Sequence, residues 1–248
     1  VPLKRALDAP LVLVQQLNDL WVPPVWLESV DVLVSPSRVH ADYMRVLGWQ
    51  GKQGVVHNGV DIRLYQARIP PRERPMRVGY WSSPDRGLSY LLKAGPLVQR
   101  AVPTAELRVN YAIDRLFASI GAPSPCDTSP LHVRDSVLAA RGSGLNISFT
   151  ESLPRPAMAQ EQMSCRVLAY PLVSVTFVEG YWTVYAEAAA AGVLPITRTV
   201  DAVADVHGKV CWSLDKRPGT PEFVEEIAEK TVKGLLGWSE NPTSPSLA

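Results

Sequence analysis

Short runs of apolar, often β-branched residues recur along the chain, and between them apolar positions return every three or four residues. The first pattern is that of strands and the second that of amphipathic helices. Strands are predicted at Leu11–Gln15, Asp31–Ser35, Gly54–His57, Met76–Ser82, Glu106–Tyr111, Leu145–Phe149, Arg166–Tyr170, Val193–Thr197 and Lys209–Ser213. Helices are predicted at Ser37–Leu47, Leu88–Ala101, Leu131–Ala140, Ala157–Met163, Val184–Ala190 and Pro221–Leu236. Several strand runs are apolar throughout instead of alternating, as expected for strands covered on both faces by crossover helices. The order is therefore that of βα units feeding a parallel sheet, an α/β fold. Ser37 stands where an N-cap belongs and Pro221 where a first-turn proline belongs, while Gly48 and Gly192 stand where helices stop.

The alternation breaks at Asn58–Pro75, which carries Gly59, Pro70, Pro71 and several arginines with little apolar periodicity. This stretch reads as an interdomain linker. It divides the chain into a small piece with linker, 1–66, a larger αβ unit, 67–237, and a frayed tail, 238–248. With three strand candidates, the small piece either completes the larger core or forms the rear of a domain whose front is absent.

Composition narrows the function classes. With 25 Lys and Arg against 24 Asp and Glu, the formal charge is +1, which removes the electrostatic case for a dedicated nucleic-acid binder. Forty-six per cent hydrophobic and 20% charged residues suit a chain that buries a core. The 22 prolines are scattered through predicted loops without a repeat. Cys126, Cys165 and Cys211 lie far apart and lack a CxxC spacing, so neither a disulfide framework nor a zinc site is indicated and a reducing cytoplasm is expected. No apolar stretch reaches the roughly 18 residues a membrane span requires. Asp8 and Pro10 interrupt the first apolar patch, so no signal peptide is expected, and the start at Val1 suggests a processed or truncated chain.

Three segments could carry chemistry. Glu179 and Glu187 flank GYWTVYA, with Glu187 near the start of a small-residue helix that follows a strand ending at Tyr170–Pro171. A helix N-terminus offers unpaired N–H groups to an anion, and a carboxylate there can accept both hydroxyls of a ribose. The ordinary alternative for Glu187 is a first-turn partner of the helix dipole. In the second segment, RVGYWSSPDRGLSYLL (77–92), a strand ends in small residues and a turn leads into a helix. Ligands of open parallel sheets bind outside the carboxyl ends of strands, which puts Ser82, Ser83 and Arg86 at such a crevice. Arg86 offers a planar fork of donors for a phosphate, or else pairs in solvent with Asp85. The third segment, VVHNGVD (55–61), closes a strand with the common turn dipeptide Asn58–Gly59.

Together, DVLVSPSRVHADYM (31–44), HNGVD (57–61), SSPDRGLSYLL (82–92), LPRPAMAQEQMSCRVLAYP (153–171) and EGYWTVYAEAAAAGVLPI (179–196) resemble the retaining, nucleotide-sugar-dependent glycosyltransferases of family 4 (glycosyl transferases group 1). The resemblance covers about residues 10–237. It implies the GT-B architecture of two Rossmann-like domains, here a doubly wound C-terminal donor-binding domain and a remnant of the N-terminal acceptor domain. By the same resemblance Arg86 holds the donor diphosphate, Glu187 the ribose, and Glu179 the transferred sugar. The backbone of Gly180, Tyr181, Trp182 and Thr183 approaches sugar and phosphate, and Arg155 borders the base. Glu179 and Arg86 are thereby the expected catalytic residues, with Ser82 and Ser83 among the donor-binding ones. No DxD motif occurs, so transfer without a metal or other cofactor is expected. The implied partners are a nucleotide-sugar donor, a UDP or GDP sugar, and a glycan or lipid-linked acceptor in polysaccharide assembly, with no nucleic acid. Peripheral attachment to a membrane, and a partner or missing segment supplying the N-terminal domain, belong to the same expectation.

The sequence departs from the family in three places, one being that two domains are expected and only the rear of the first is present. Many relatives carry a second basic residue six positions before the one matched by Arg86, where Tyr80 and Trp81 stand here. No Gly-rich first loop and no histidine precede His40. Histidines 40, 132 and 207 form no spaced metal set and read as surface or structural, His40 on a polar helix face. His57, beside the linker, is the histidine with a place near a site. Trp81, Tyr181 and Trp182 could line a sugar pocket, though core packing is the commoner fate of such residues. Three functions follow: a sugar transferase, a noncatalytic nucleotide-sugar-binding module, and, third, a nucleotide-sugar epimerase of the same architecture.

Overall fold

The structure is a computed structural model that describes residues 12–14, 30–67, 69–114, 130–173 and 180–240. The chain forms two compact units. The first comprises Val1–Gly59, Phe177–Thr183 and Val200–Gly208, and the second Val60–Thr176, Val184–Thr199 and Lys209–Ala248.

In the first unit, strands β1 (Val12–Val14), β2 (Val32–Ser35) and β3 (Lys52–Val55) form a parallel sheet in the order β1-β2-β3. Leu33 sits in register between Leu13 and Gln53. Helix α1 (Arg38–Val46) makes the crossover from β2 to β3. Ser37 caps it, its side chain accepting from the His40 N–H at 3.1 Å, and Gly48 ends the turn behind it at φ +103°. Leu33, Met44 and Trp49 make the small core. Two expectations are corrected here. His40 does not lie on a polar face but is fully buried, because His40, Ala41 and Met44 together form the inward side of α1. Strand β3 begins at Lys52, two residues before the predicted start. Its polar Gln53 is secured by side-chain bonds, donating to the Ala41 carbonyl at 2.8 Å and accepting from Arg45 at 2.6 Å.

The second unit alternates β4 (Arg77–Tyr80), α2 (Leu88–Ala101), β5 (Glu106–Asn110), α3 (Pro130–Gly142), β6 (Ile147–Thr150), α4 (Arg155–Ser164), β7 (Val167–Tyr170), α5 (Thr183–Ala191), β8 (Leu194–Thr197), β9 (Trp212–Ser213) and α6 (Pro221–Glu240). All pairings are parallel, in the spatial order β6-β5-β4-β7-β8-β9. This is the doubly wound, Rossmann-like order, in which the winding reverses between β4 and β7. The whole of β7, Val-Leu-Ala-Tyr, is buried, as a central strand with both faces covered must be. Helix α6 packs on α2 and on strands β4, β7 and β8. Gly234 permits this approach, since a Cβ there would stand 2.9 Å from side chains of Val167 and Leu194.

Residues 60–75 do not form a free linker: the division falls at Gly59–Val60, and the segment beyond it packs into the second unit. Two short 3₁₀ turns, Ile62–Tyr65 and Pro71–Glu73, occupy it. Its anchors are Tyr65 and Arg74, 4% and 2% exposed. The Arg74 guanidinium donates to the carbonyls of Ile69, Cys165 and Ala191, each at 2.8 Å, and of Gly192 at 3.0 Å. It thus closes the C-terminal ends of α4 and α5, whose last carbonyls lack partners within their own helices. The Arg166 guanidinium donates to the carbonyls of Arg72, Arg74 and Leu235. Buried arginines satisfied by main-chain oxygens leave no periodic signal, which is why the segment reads as a linker in sequence. The tail from 241 lies outside the described residues. Among the described residues, no helix is long and apolar enough to cross a membrane.

Candidate functional site

In a doubly wound sheet the natural crevice opens at the carboxyl ends of the strands where the winding reverses, here β4 and β7. Ser82, just beyond β4, donates to the Tyr170 hydroxyl at the end of β7 at 2.9 Å. The rings of Tyr80 and Tyr170 meet at 5.4 Å, and the Tyr80 hydroxyl donates to the Ser83 carbonyl at 2.7 Å. Ser83 in turn bonds the Asp85 carboxylate. A 3₁₀ turn, Pro84–Arg86, leads to Gly87 at φ +117°, a conformation that favours glycine. A Cβ at Gly87 would stand 2.1 Å from the Pro171 carbonyl oxygen, so the turn after β4 rests directly on the chain leaving β7. Arg86, half-buried, is held at the mouth of α2 by this turn. Asp85 is tied to Ser83.

Tyr80, six positions before Arg86, is fully buried. Trp81 next to it lies across Gly79, where a Cβ would meet the indole at 1.8 Å, and is 7% exposed. Both aromatics are packed at the strand end.

Helix α5 brings up the second group. Glu187, half-buried in its second turn, accepts from Gln162 Nε2 of α4 at 2.9 Å. Gln162 is fully buried and its Oε1 accepts from the Tyr65 hydroxyl at 2.6 Å. Burial, then the Glu187 charge, push the Tyr65 pKa up, while the Arg155 guanidinium pulls it down. Arg155, the exposed first residue of α4, also lowers the Asp61 pKa, whose main cause is the bond from the Arg63 guanidinium. Tyr65 is therefore the meeting point of Arg155 and Glu187. Among the described residues no lysine or arginine pairs with Glu187, and Gln162 is the side chain that donates to it.

In the first unit, the residues leading into α5 are clasped by the His57–Asn58 pair. The Tyr181 ring lies 5.4 Å from those of His57 and His207. Asn58 Nδ2 reaches the Thr183 hydroxyl at 3.5 Å. His207, in a π-helical turn at Val203–His207, sits 3.1 Å from the Tyr181 carbonyl oxygen. Its pKa is lowered, first by burial and further by His57, against the opposing bond to Tyr181. Trp182 adopts φ +73°, a left-handed conformation that costs a bulky residue on the order of 1–3 kcal/mol. With Tyr181 8% and Trp182 4% exposed, both are packed.

The structure thus gathers Ser82, Ser83 and Arg86 in the turn after β4, and Arg155 and Glu187 around Tyr65. Gly180, Tyr181, Trp182 and Thr183 stand at the start of α5. Glu179 lies outside the described residues. Sequence reasoning missed Tyr65 and Gln162, since a tyrosine in an aperiodic stretch and a glutamine in a polar helix carry no recognisable pattern.

No family profile matches the sequence, and no curated protein does. Solved structures do. The Anabaena HepE structure, in complex with UDP and glucose, superposes with a TM-score of 0.62 at 14% identity, over 94% of this chain and 68% of HepE. The fold is that of GT-B glycosyltransferases. The pneumococcal O-GlcNAc transferase GtfA, in complex with UDP and GlcNAc, gives 0.61 at 14% identity over 86% of this chain. A UDP-forming trehalose-phosphate synthase from Burkholderia xenovorans gives 0.55 at 11% over 95%. This GT-B chain spans 39% of the length of GtfA and 67% of that of the synthase.

Proposed function

We propose that this chain binds a nucleoside diphosphate sugar and transfers its sugar, with retention and without a metal, to a glycan or lipid-linked acceptor, as family 4 glycosyltransferases do. The observation that carries the reading is the half-buried Glu187 carboxylate, free of any basic partner among the described residues, on the helix that follows β7. Such a group is an acceptor for a ribose diol. Arg86 is assigned to the diphosphate, Glu179 to the transferred sugar, and the N–H groups at the start of α5, reached through Gly180–Thr183, to phosphate oxygens. Ser82, Ser83 and Arg155 border the donor.

Each role follows from the charge that develops in the reaction. As the glycosidic bond breaks, positive charge grows at the anomeric carbon and negative charge on the departing diphosphate. Fixed positive groups at the phosphate then stabilise the transition state more than the bound donor. Arg86 and the helix N-terminus have that sign. In the retaining course, the acceptor hydroxyl attacks from the face the diphosphate leaves, and a phosphate oxygen takes its proton. A partner chain or further segment completes the acceptor side in this reading, and the site works in the cytoplasm, at a membrane face where the acceptor is lipid-linked.

A second reading, a nucleotide-sugar-binding module without turnover, is favoured by one feature. Tyr80 is fully buried where a second cation would offset phosphate charge. One pair of assays tests both. Glu187→Ala is expected to weaken UDP or GDP binding at least tenfold while the far-UV spectrum is unchanged, since a hydrogen bond to a charged group contributes about 1.5–3 kcal/mol. Unchanged affinity counts against the assignment. Release of nucleotide from a sugar donor by the wild-type protein excludes the inert module.

A further inference from the structure

The Glu187 carboxylate is oriented by a neutral side chain instead of a cation, and that arrangement has a consequence for selectivity. We infer that Gln162 is a positioning residue: it fixes the Glu187 carboxylate for a ribose diol, so that ribose is chosen over deoxyribose through a side chain that does not itself touch the nucleotide. The inference rests on the nucleotide-sugar reading above and adds a residue to it.

The polarity of the chain is set by chemistry. A carboxylate only accepts, so the amide must present Nε2 to Glu187, at 2.9 Å. Its Oε1 must then accept, and the Tyr65 hydroxyl, 2.6 Å away, must donate. Tyr65 cannot reverse this by ionising, because burial and the Glu187 charge both raise its pKa. Gln162 is fully buried and Tyr65 nearly so, which keeps water from competing for either bond.

The three groups come from three elements, the 3₁₀ turn Ile62–Tyr65, α4 and α5. The amide thus references the carboxylate to two elements besides its own helix. An arginine in the same place would hold the carboxylate as firmly but would neutralise it and occupy both oxygens. The glutamine uses one lone pair of Oε2 and leaves the negative charge and the remaining lone pairs for incoming hydroxyls. A glutamate has three side-chain torsions, so without the amide it would spread over several rotamers and lose its alignment with a diol.

The test compares each ribonucleotide with its 2′-deoxy form by titration calorimetry. UDP, GDP and ADP are first titrated into the wild-type protein, and the tightest binder is paired with dUDP, dGDP or dADP accordingly. The wild type is expected to prefer the ribonucleotide about tenfold or more, the range of one charged hydrogen bond. In Gln162→Met, which keeps the volume and removes both bonds, the ribonucleotide is expected to lose most of that advantage while the deoxynucleotide changes less than about threefold. Tyr65→Phe, which leaves Glu187 and the amide in place, is expected to shift the ratio in the same direction by less, and it serves if Gln162→Met does not fold. Equal losses for both nucleotides would make the chain a structural staple only, and an unchanged ratio would make it irrelevant to binding. Either result overturns the inference and leaves the nucleotide-sugar reading standing. A wild-type ratio near one overturns the assignment of Glu187 to the diol and this inference with it, whereas absence of binding by all three diphosphates overturns the nucleotide-sugar reading itself.

Discussion

Replacing Gly87 by alanine probes the turn that carries Arg86, and the structure supplies its own control. At φ +117° any residue with a Cβ is strained, by roughly 1–2 kcal/mol. The added Cβ would also stand 2.1 Å from the Pro171 carbonyl oxygen and 2.9 Å from its carbon, where ordinary contact begins at 3.4 Å. Backbone cannot swing aside as a side-chain end can, so the turn after β4 must lift from the chain leaving β7. Relieving an overpacked contact adds about 1–3 kcal/mol, for a total of about 2–5 kcal/mol. Gly144 also has positive φ, +72°, but nothing lies within 4 Å of a Cβ there. Gly144→Ala should therefore show the conformational cost alone, about 1–2 kcal/mol. Urea unfolding of the two variants, with midpoints compared at a common slope, measures the difference. If Gly87→Ala loses no more stability than Gly144→Ala, the close approach of the two loops at the switch point is wrong, and with it the placement of Arg86.

Arg74→Met should cost more than about 3 kcal/mol, because four carbonyls at the ends of α4, α5 and the preceding turn lose a charged donor. Arg74→Lys should recover little of it, since an ammonium cannot fan out to four acceptors; a fall in the denaturation midpoint equal to that of a surface substitution would refute this. His207 has its pKa lowered from 6.5, so the folded state binds fewer protons than the unfolded one between the two values. Its contribution is complete above pH 6.5 and is lost as pH falls toward the lowered value. The melting temperature should drop between pH 7.5 and 5.5, and His207→Gln should flatten that drop; identical slopes would contradict it.

The strand and helix order was readable because it rests on apolar periodicity, and buried strands such as Val167–Tyr170 announce themselves as uninterrupted apolar runs. The stops at Gly48 and Gly192 were equally legible, both having positive φ. What could not be read is satisfied polarity. Arg74 and Gln162 are polar residues at interior positions, and sequence offers no sign that carbonyls, a carboxylate or a phenol wait for them. The same blindness made Asn58–Pro75 read as a linker, although Tyr65 within it anchors the hydrogen-bond chain to Glu187. The turn after β4, with Ser82, Ser83 and Arg86, was placed from the sequence because a strand's end can be read from its apolar run and the turn residues behind it. The residues that hold Glu187 in place follow no such rule.

Nucleotide-sugar binding is tested most directly by a thermal-shift panel of UDP, GDP and ADP sugars against the wild-type protein. A ligand that binds only the native state stabilises it by about 2.7 kcal/mol at a hundredfold excess over its dissociation constant. A saturable rise in melting temperature is expected with one class of nucleotide sugar, reproduced by the matching nucleoside diphosphate and not by the free sugar. No rise with any of the three, at concentrations up to the millimolar range, would contradict it.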